Sequence, residues 1–174
     1  SFFYDGDKAL ASMAHTEIPI FLYVGRIAVE KNIEEFLKLE LPGEKWLVGS
    51  GPAMAELVEK YPDAVFLGAK SHAELADIYR QASVFVFPSK TDTFGLVLLE
   101  ALASGLPIAA FPVAGPIDVL MGCEAAALRH DLHEACLTAL ELNPRHAREH
   151  AEKFTWQKTT AQFISNLWPN ERRE

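Results

Sequence analysis

The chain has 174 residues, of which 49% are hydrophobic and 23% are charged, so a soluble globular domain of ordinary composition is expected. Its formal net charge of −8 argues against a nucleic-acid-binding surface, which needs a basic stripe, but allows a local cationic pocket for an anionic ligand. The two cysteines are too few for a disulfide scaffold and form no CxxC metal motif, and no apolar run reaches the ~20 residues of a membrane span.

Segments typical of strands and helices alternate along the chain. Short apolar runs predict five strands, at 20–24, 46–49, 64–67, 83–87 and 107–111. Helix-start signals predict helices from Asn32, over 53–60, from Ser71, over 94–103, over 131–142, from Pro144 and over 155–167. Three of these starts have the spacing of a capping box: Asn32 with Glu35, Ser71 with Glu74, and Asp131 with Glu134.

This alternation predicts βαβ units and a parallel sheet with helices on both faces, because crossovers between parallel strands are right-handed. The expected fold is therefore a doubly wound, Rossmann-like α/β domain with a helical C-terminal tail. Ligands of such sheets bind beyond the carboxyl ends of the strands. The turns that follow the predicted strands, at 25–26, 49–52, 68–70 and 88–95, are the places to look for a site.

Two of these turns carry candidate groups for binding an anion. Gly25 and Arg26 follow the first strand and Lys31 precedes the next helix, so two cations at one sheet edge would suit a diphosphate. The alternative is a pair of solvated surface charges. Gly49 and Gly51 follow the second strand, where missing side chains let a ligand approach the backbone, although a tight turn without a ligand is the alternative.

The segment 96–111 contains one charged residue, Glu100. A carboxylate among apolar neighbours is costly to desolvate unless something hydrogen-bonds it. Asp92 lies eight positions earlier in a polar loop, and the two acids together suggest a site that binds hydroxyl groups. The structural alternative is a buried Glu paired with a core Arg or a Tyr hydroxyl. Gly95 lies at the helix start, where free N–H groups and the helix dipole favour an anion.

Two histidines, His146 and His150, are four residues apart on a predicted helix. This spacing is compatible with a metal, but no acidic third ligand is placed beside them. An exposed helix face is therefore expected here, and no metal site is predicted.

Together these motifs resemble the C-terminal domain of a GT-B glycosyltransferase of the large retaining family 4, the group 1 transferases. The resemblance covers roughly residues 20–120, and its pieces occur in the family's order. They are Val24-Gly25-Arg26 with Lys31-Asn32, Val48-Gly49-Ser50-Gly51-Pro52, Phe66-Leu67-Gly68, Phe87-Pro88-Ser89, Asp92 and Glu100 at the E-x7-E positions, and Ala101-Leu102-Ala103-Ser104-Gly105-Leu106-Pro107.

The resemblance implies a role for each charged residue. Arg26 and Lys31 would hold the diphosphate of a nucleotide-sugar and stabilise charge on the leaving group. Glu100 would accept hydrogen bonds from the ribose hydroxyls, which would explain an acid without a protein partner. Asp92 would face the donor sugar, at a position where the commonest family pattern has the longer Glu.

The other implied donor contacts are made by glycine turns and backbone groups. They are Gly25, Gly49 and Gly51 in the first two turns, Gly68, Ala69 and Lys70 against the base edge, and Thr93, Phe94, Gly95, Leu96 and Val97 against phosphate or sugar. A UDP- or GDP-sugar is the expected donor, with no permanently bound cofactor and no metal. Nucleic acid is not an expected partner.

The family pairs two Rossmann-like domains, so the resemblance implies a missing N-terminal domain that binds a sugar or lipid-linked acceptor. Residues 1–17 would be the connection from that domain, residues 18–142 the donor-binding domain and residues 143–174 a helical tail. This chain alone would then bind nucleotide weakly and transfer no sugar. The expected location is the cytoplasm, with a membrane-peripheral full-length protein as the alternative.

Two other functions stay open at this point. One is a non-catalytic Rossmann-like nucleotide-binding module. The other is a different GT-B enzyme, such as a sugar-nucleotide epimerase or a phosphorylase.

Overall fold

The computed structural model describes residues 18–91 and 95–154, and in them six parallel strands form one sheet. The strand order is β3-β2-β1-β4-β5-β6. The strands are β1 (Ile20–Val24), β2 (Glu44–Val48), β3 (Val65–Gly68), β4 (Val84–Phe87), β5 (Ile108–Ala110) and β6 (Ala126–Leu128). The predicted doubly wound, Rossmann-like sheet is therefore confirmed, and β6 is a strand that the sequence did not predict.

Helices connect the strands and cover both faces of the sheet. They are α1 (Ile33–Leu37), α2 (Met54–Lys60), α3 (His72–Gln81), α4 (Leu96–Ala103), α5 (Ala114–Leu120), α6 (Leu132–Leu140) and α7 (Pro144–Ala151), and a 3-10 turn over Val29–Lys31 precedes α1. Residues 1–17, which were predicted to be a connecting segment, lie outside the described residues. Residues 155–174, which include the last predicted helix, also lie outside them. The predicted domain boundaries remain predictions.

The sheet separates two hydrophobic cores, because successive side chains of a strand point to opposite faces. In β1, Leu22 and Val24 pack with α3, α4, α5 and α7, whereas Phe21 and Tyr23 pack with α1, α2 and α6. Both cores are closely buried, and β4 is buried along its whole length, as a central parallel strand should be.

The strand order places a topological switch point between β1 and β4. From β1 the chain moves outward to β2 and β3, and from β4 it moves the other way to β5 and β6. The register pairs Phe21 with Val84 and Leu22 with Phe85, so the two strands end at the same edge. In a sheet of this kind the crevice beyond that edge is where ligands bind.

The structure confirms the predicted helix caps at Ser71 and Asp131 but not the one at Asn32. Ser71 and Glu74 form the predicted capping box at α3, and Asp131 caps α6 by accepting from the N–H groups of His133 and Glu134. The predicted capping box at Asn32 is wrong. Asn32 has a left-handed backbone (φ 55°, ψ 30°), and its side chain makes no cap hydrogen bond.

The helix α7 packs against α4, and a histidine of α7 that was predicted to be exposed is buried. His150 is buried, its Nε2 lies 2.8 Å from the carbonyl oxygen of Val119, and its ring contacts that of Phe154. The predicted exposed face is therefore wrong for His150. His146 is half-buried and pairs with Glu124 at 3.2 Å.

Candidate functional site

Three turns at the carboxyl ends of β1, β2 and β3 are joined by backbone hydrogen bonds. The N–H of Gly25 donates to the carbonyl of Val48 (3.0 Å), and the N–H of Gly49 donates to that of Gly68 (2.9 Å). The N–H of Ile27 donates to the carbonyl of Ser50 (2.9 Å). The parallel ladder thus continues past the strand ends and holds the three turns as one unit.

These turns line an open cleft of about 540 Å³. Its lining residues are Val24, Gly25, Arg26, Val48, Gly49, Ser50, Gly51, Ala69 and Lys70. The structure therefore brings together six of the predicted site residues from three separate turns. Gly68 immediately precedes this lining in the third turn, and Lys31 is outside it.

The glycines of the second turn allow the first and second turns to pack closely. A Cβ atom on Gly49 would lie 1.9 Å from the carbonyl oxygen of Gly25, and one on Gly51 would lie 2.1 Å from that of Ile27. The space that the sequence interpretation reserved for a ligand is thus occupied by the neighbouring turn. Any ligand contact from these two residues has to come from their other side, which faces the cleft.

The two cations of the cleft are each paired with a carboxylate four residues later in the chain. The guanidinium of Arg26 lies 3.3 Å from Oε1 of Glu30, and the ammonium of Lys70 lies 3.6 Å from Oε1 of Glu74. Both carboxylates are more than half exposed. Exposed pairs of this kind contribute about 0–1 kcal/mol, so an incoming anion displaces them at little cost.

Asn32 links the turn after β1 to the loop after β4, across the switch point. Its Nδ2 donates to Oε2 of Glu35 (2.6 Å) and to the carbonyl oxygen of Pro88 (3.1 Å). Lys90 donates to the same Glu35 oxygen (2.9 Å), and its ammonium lies 4.4 Å from the ring centroid of Phe111. Burial would raise the pKa of Glu35, but the hydrogen bonds from Asn32 and Lys90 outweigh it and lower the pKa.

Glu100 lies in the second turn of α4, the helix that follows β4. Its side chain is half-buried, and the hydroxyl of Tyr79 on α3 donates to its Oε2 at 3.3 Å. The expectation of an acid without a protein partner is therefore wrong, and the structural alternative of a Tyr hydroxyl is the arrangement found. Burial, and then the negative charge of Glu100, raise the pKa of the Tyr79 phenol, so the phenol stays protonated and donates.

Gly95 and the first two residues of α4 differ in their exposure to solvent. Gly95 is buried, Leu96 is exposed and Val97 is half-buried. Asp92, Thr93 and Phe94 lie outside the described residues, so their predicted contacts remain predictions.

Sequence reasoning missed Tyr79, the bridging role of Asn32 and the placement of Lys70 as a second cation of the cleft. Tyr79 was not singled out, because its distance of 21 residues from Glu100 left no local signal. Asn32 carried a signal, but the pattern indicated a cap. Lys70 follows a strand and thus had the same placement that selected Arg26.

No group of three or more His, Cys, Asp or Glu side chains that would suit a metal occurs in residues 18–91 and 95–154. Within those ranges, no helix is both long and apolar enough to cross a membrane.

A doubly wound parallel sheet with an open cleft beyond the carboxyl ends of its strands defines a Rossmann-like α/β domain. The family profile for glycosyl transferases group 1 matches residues 18–141. The chain therefore belongs to the glycosyl transferases group 1 family, as the sequence motifs predicted. This membership does not favour the alternatives of a non-catalytic module or an epimerase.

Individual relatives agree with this family. The chain is 32% identical over 181 residues to the sulfoquinovosyl transferase SQD2 of Arabidopsis thaliana, covering 90% of the chain and 36% of the relative. It is 42% identical over 104 residues to a GDP-mannose-dependent alpha-mannosyltransferase of Mycobacterium tuberculosis, covering 59% of the chain and 28% of the relative. Sucrose-phosphate synthase from Thermosynechococcus elongatus superimposes with a TM-score of 0.72 at 28% identity, covering 94% of the chain and 48% of that structure. The chain thus spans about a third of the length of these curated relatives.

Proposed function

We propose that this chain binds the nucleotide-sugar donor of a retaining glycosyltransferase, which transfers a hexosyl group to an acceptor. The observation that carries the proposal is the cleft of about 540 Å³ at the carboxyl edge of the sheet, with Arg26 and Lys70 in its lining. The cleft lies beyond the carboxyl ends of β1, β2 and β3, the side on which Rossmann-like sheets bind their ligands. Membership of the group 1 family supports a sugar nucleotide as the ligand.

The diphosphate is assigned to the cations. Arg26 offers a fork of donors that matches phosphate oxygens, and Lys31, the last residue of the 3-10 turn, adds a compact positive charge from the same segment. As the bond to the sugar breaks, negative charge develops on the diphosphate leaving group. Fixed cations beside that charge stabilise the transition state more than the ground state, and such electrostatic stabilisation is usually the largest catalytic contribution.

The remaining parts of the donor are assigned to neighbouring groups. Glu100 accepts from the ribose hydroxyls, and the backbone of Gly68, Ala69 and Lys70 pairs with the base edge. Asp92 faces the sugar. The backbone amides at the start of α4 bind phosphate or sugar, together with Thr93 and Phe94.

The donor is a UDP- or GDP-sugar, and the name of the Mycobacterium tuberculosis relative supports a GDP-sugar among these. Because the chain spans about a third of its relatives, we also propose that a further domain binds the sugar or lipid-linked acceptor, and that this chain alone transfers no sugar. A cytoplasmic location remains a prediction from the sequence. The alternative is a full-length protein that is peripheral to a membrane.

Nucleotide titration of the 174-residue chain tests the proposal. By calorimetry, UDP or GDP should bind with a measurable Kd. Arg26→Ala and Glu100→Ala should each weaken that Kd about tenfold or more, since a hydrogen bond to a charged group contributes roughly 1.5–3 kcal/mol. Arg145→Ala is the matched control, because Arg145 is an exposed arginine on α7, outside the cleft lining.

The Kd of the Arg145→Ala variant should equal that of the unchanged chain. Absence of binding by both nucleotides at millimolar concentration would overturn the proposal. Equal losses in the Arg26 and Arg145 variants would also overturn it, because a general charge effect would then explain binding.

A further inference from the structure

Tyr79 lies in the last full turn of α3 and is completely buried. Its ring packs 6.1 Å from that of Phe85 on β4, centroid to centroid, so the phenol has a fixed position. Its hydroxyl is directed at Oε2 of Glu100, across the contact between α3 and α4. Packing alone does not require the hydroxyl of Tyr79, because Phe would fill nearly the same volume. The hydroxyl is explained instead by its hydrogen bond to the half-exposed carboxylate of Glu100.

We propose that Tyr79 is a positioning residue, whose hydroxyl holds Oε2 of Glu100 and thereby directs Oε1 to the ribose hydroxyls of the donor. This inference rests on the proposed function, because it assumes that Glu100 contacts ribose. It adds a residue that does not itself touch the ligand.

The physical reason is the freedom of a glutamate side chain. An unrestrained carboxylate samples several orientations, and ordering it on binding costs free energy. A carboxylate that is already held at one oxygen loses less when its other oxygen accepts from a ligand. The phenol is suited to this task, since it has one donor hydrogen, no charge and a ring that packing holds in place.

The chain offers a matched control outside the cleft lining. Tyr61 donates from its hydroxyl to Oε1 of Glu34 at 2.9 Å, so it is a second tyrosine–glutamate pair. Neither residue of this pair lines the cleft. Tyr61→Phe removes the same kind of hydrogen bond without touching the proposed site.

Ribose discrimination is the quantity to measure. The Kd values of UDP and GDP are compared with those of their 2′,3′-dideoxy analogues, on the unchanged chain, Tyr79→Phe and Tyr61→Phe. The ribonucleotide should bind about tenfold or more tightly than the dideoxy form on the unchanged chain. Tyr79→Phe should reduce that ratio at least threefold by weakening the ribonucleotide, while Tyr61→Phe leaves the ratio unchanged. A general loss of stability would affect both nucleotides alike.

The outcomes separate this inference from the proposed function. If neither nucleotide binds the unchanged chain, both proposals are overturned. If nucleotide binds with a clear ribose preference and Tyr79→Phe keeps that preference, the positioning role alone is overturned. If Tyr61→Phe lowers the ratio as much as Tyr79→Phe does, the effect is not local and the positioning role is again overturned.

A second measurement applies if Tyr79→Phe does not fold. All four tyrosines are replaced by 3-fluorotyrosine. Each of the other three positions is then changed to Phe in turn, and the ¹⁹F resonance that remains in all three variants is that of Tyr79. Glu100→Gln should shift this resonance, and UDP or GDP should shift it in the unchanged chain but not in Glu100→Gln. A Tyr79 resonance that responds to neither change would overturn the inference.

Discussion

Replacement of Gly49 by Ala should strongly destabilise the fold, because the new methyl group would meet backbone that has no room to move. The Cβ atom would lie 1.9 Å from the carbonyl oxygen of Gly25, so the two atoms would have to separate by about 1 Å to reach even 3.0 Å. The backbone of Gly49 also has a positive φ of 135°, which an L-residue rarely adopts. Strain of this kind costs about 1–3 kcal/mol and overpacking about another 1–3 kcal/mol.

We therefore expect Gly49→Ala to lower the free energy of unfolding by about 3–5 kcal/mol. Gly122 supplies the control, since it also has a positive φ (73°) but its added Cβ would meet nothing within 4 Å. Gly122→Ala should cost only the backbone term, about 1–2 kcal/mol.

Urea unfolding followed by circular dichroism measures both variants. With a urea m-value of about 2 kcal/mol/M, Gly49→Ala should lower the midpoint by roughly 2 M and Gly122→Ala by less than about 1 M. The reasoning is refuted if the two variants differ by less than about 1 kcal/mol, because the contact between the first and second turns would then carry no packing constraint.

Two further predictions concern Glu34 and Asn32, which both lie outside the cleft lining. Glu34 accepts hydrogen bonds from Lys60, then Tyr61 and Lys38, and these bonds lower its pKa to about 2. Their contribution to the stability of the folded state is therefore complete above the ordinary pKa near 4.5, and it is lost as the pH falls toward 2. The urea midpoint of the unchanged chain should therefore exceed that of Glu34→Gln by a constant amount from pH 7 to pH 5. This difference in midpoint should shrink between pH 4.5 and pH 2. A difference that is as large at pH 2 as at pH 7 contradicts the lowered pKa of Glu34. Asn32→Gly keeps the left-handed backbone accessible but removes the bridge to Glu35 and Pro88, so it should cost about 1 kcal/mol and increase hydrogen exchange of amides near Pro88. Unchanged exchange in that loop would show that the Asn32 side chain does not hold it, and Asn143→Gly, which alters the cap of α7, is the control.

The central part of the fold could be predicted from sequence because its signals are local. A strand such as β4 is a continuous apolar run, and Ser71 with Glu74 forms a capping box within one helical turn. The strand β6 was missed because its three residues, Ala-Ala-Leu, have weak β propensity. Its neighbour β5 supplies the pairing that makes it a strand.

The wrong predictions about individual side chains have a common physical origin in contacts between distant segments. His150 was expected on an exposed face, but α7 packs against α4 and buries it. The Asn32 spacing fits a cap, but the Pro88 carbonyl from another loop competes for the same side chain. The partner of Glu100 comes from a different helix. Each of these contacts depends on how segments distant in the sequence pack together, which no local pattern encodes.

The pairing of Arg26 with Glu30 and of Lys70 with Glu74 affects how ligand binding responds to ionic strength. Added salt screens the attraction between these cations and an anionic ligand of the cleft, but it screens their competing intramolecular pairs as well. The two effects oppose each other, so the salt dependence of affinity falls below what two unpaired cations would give. If the chain binds its proposed donor, an acidic protein with a net charge of −8 would thus retain this anionic ligand over a wide range of electrolyte concentration.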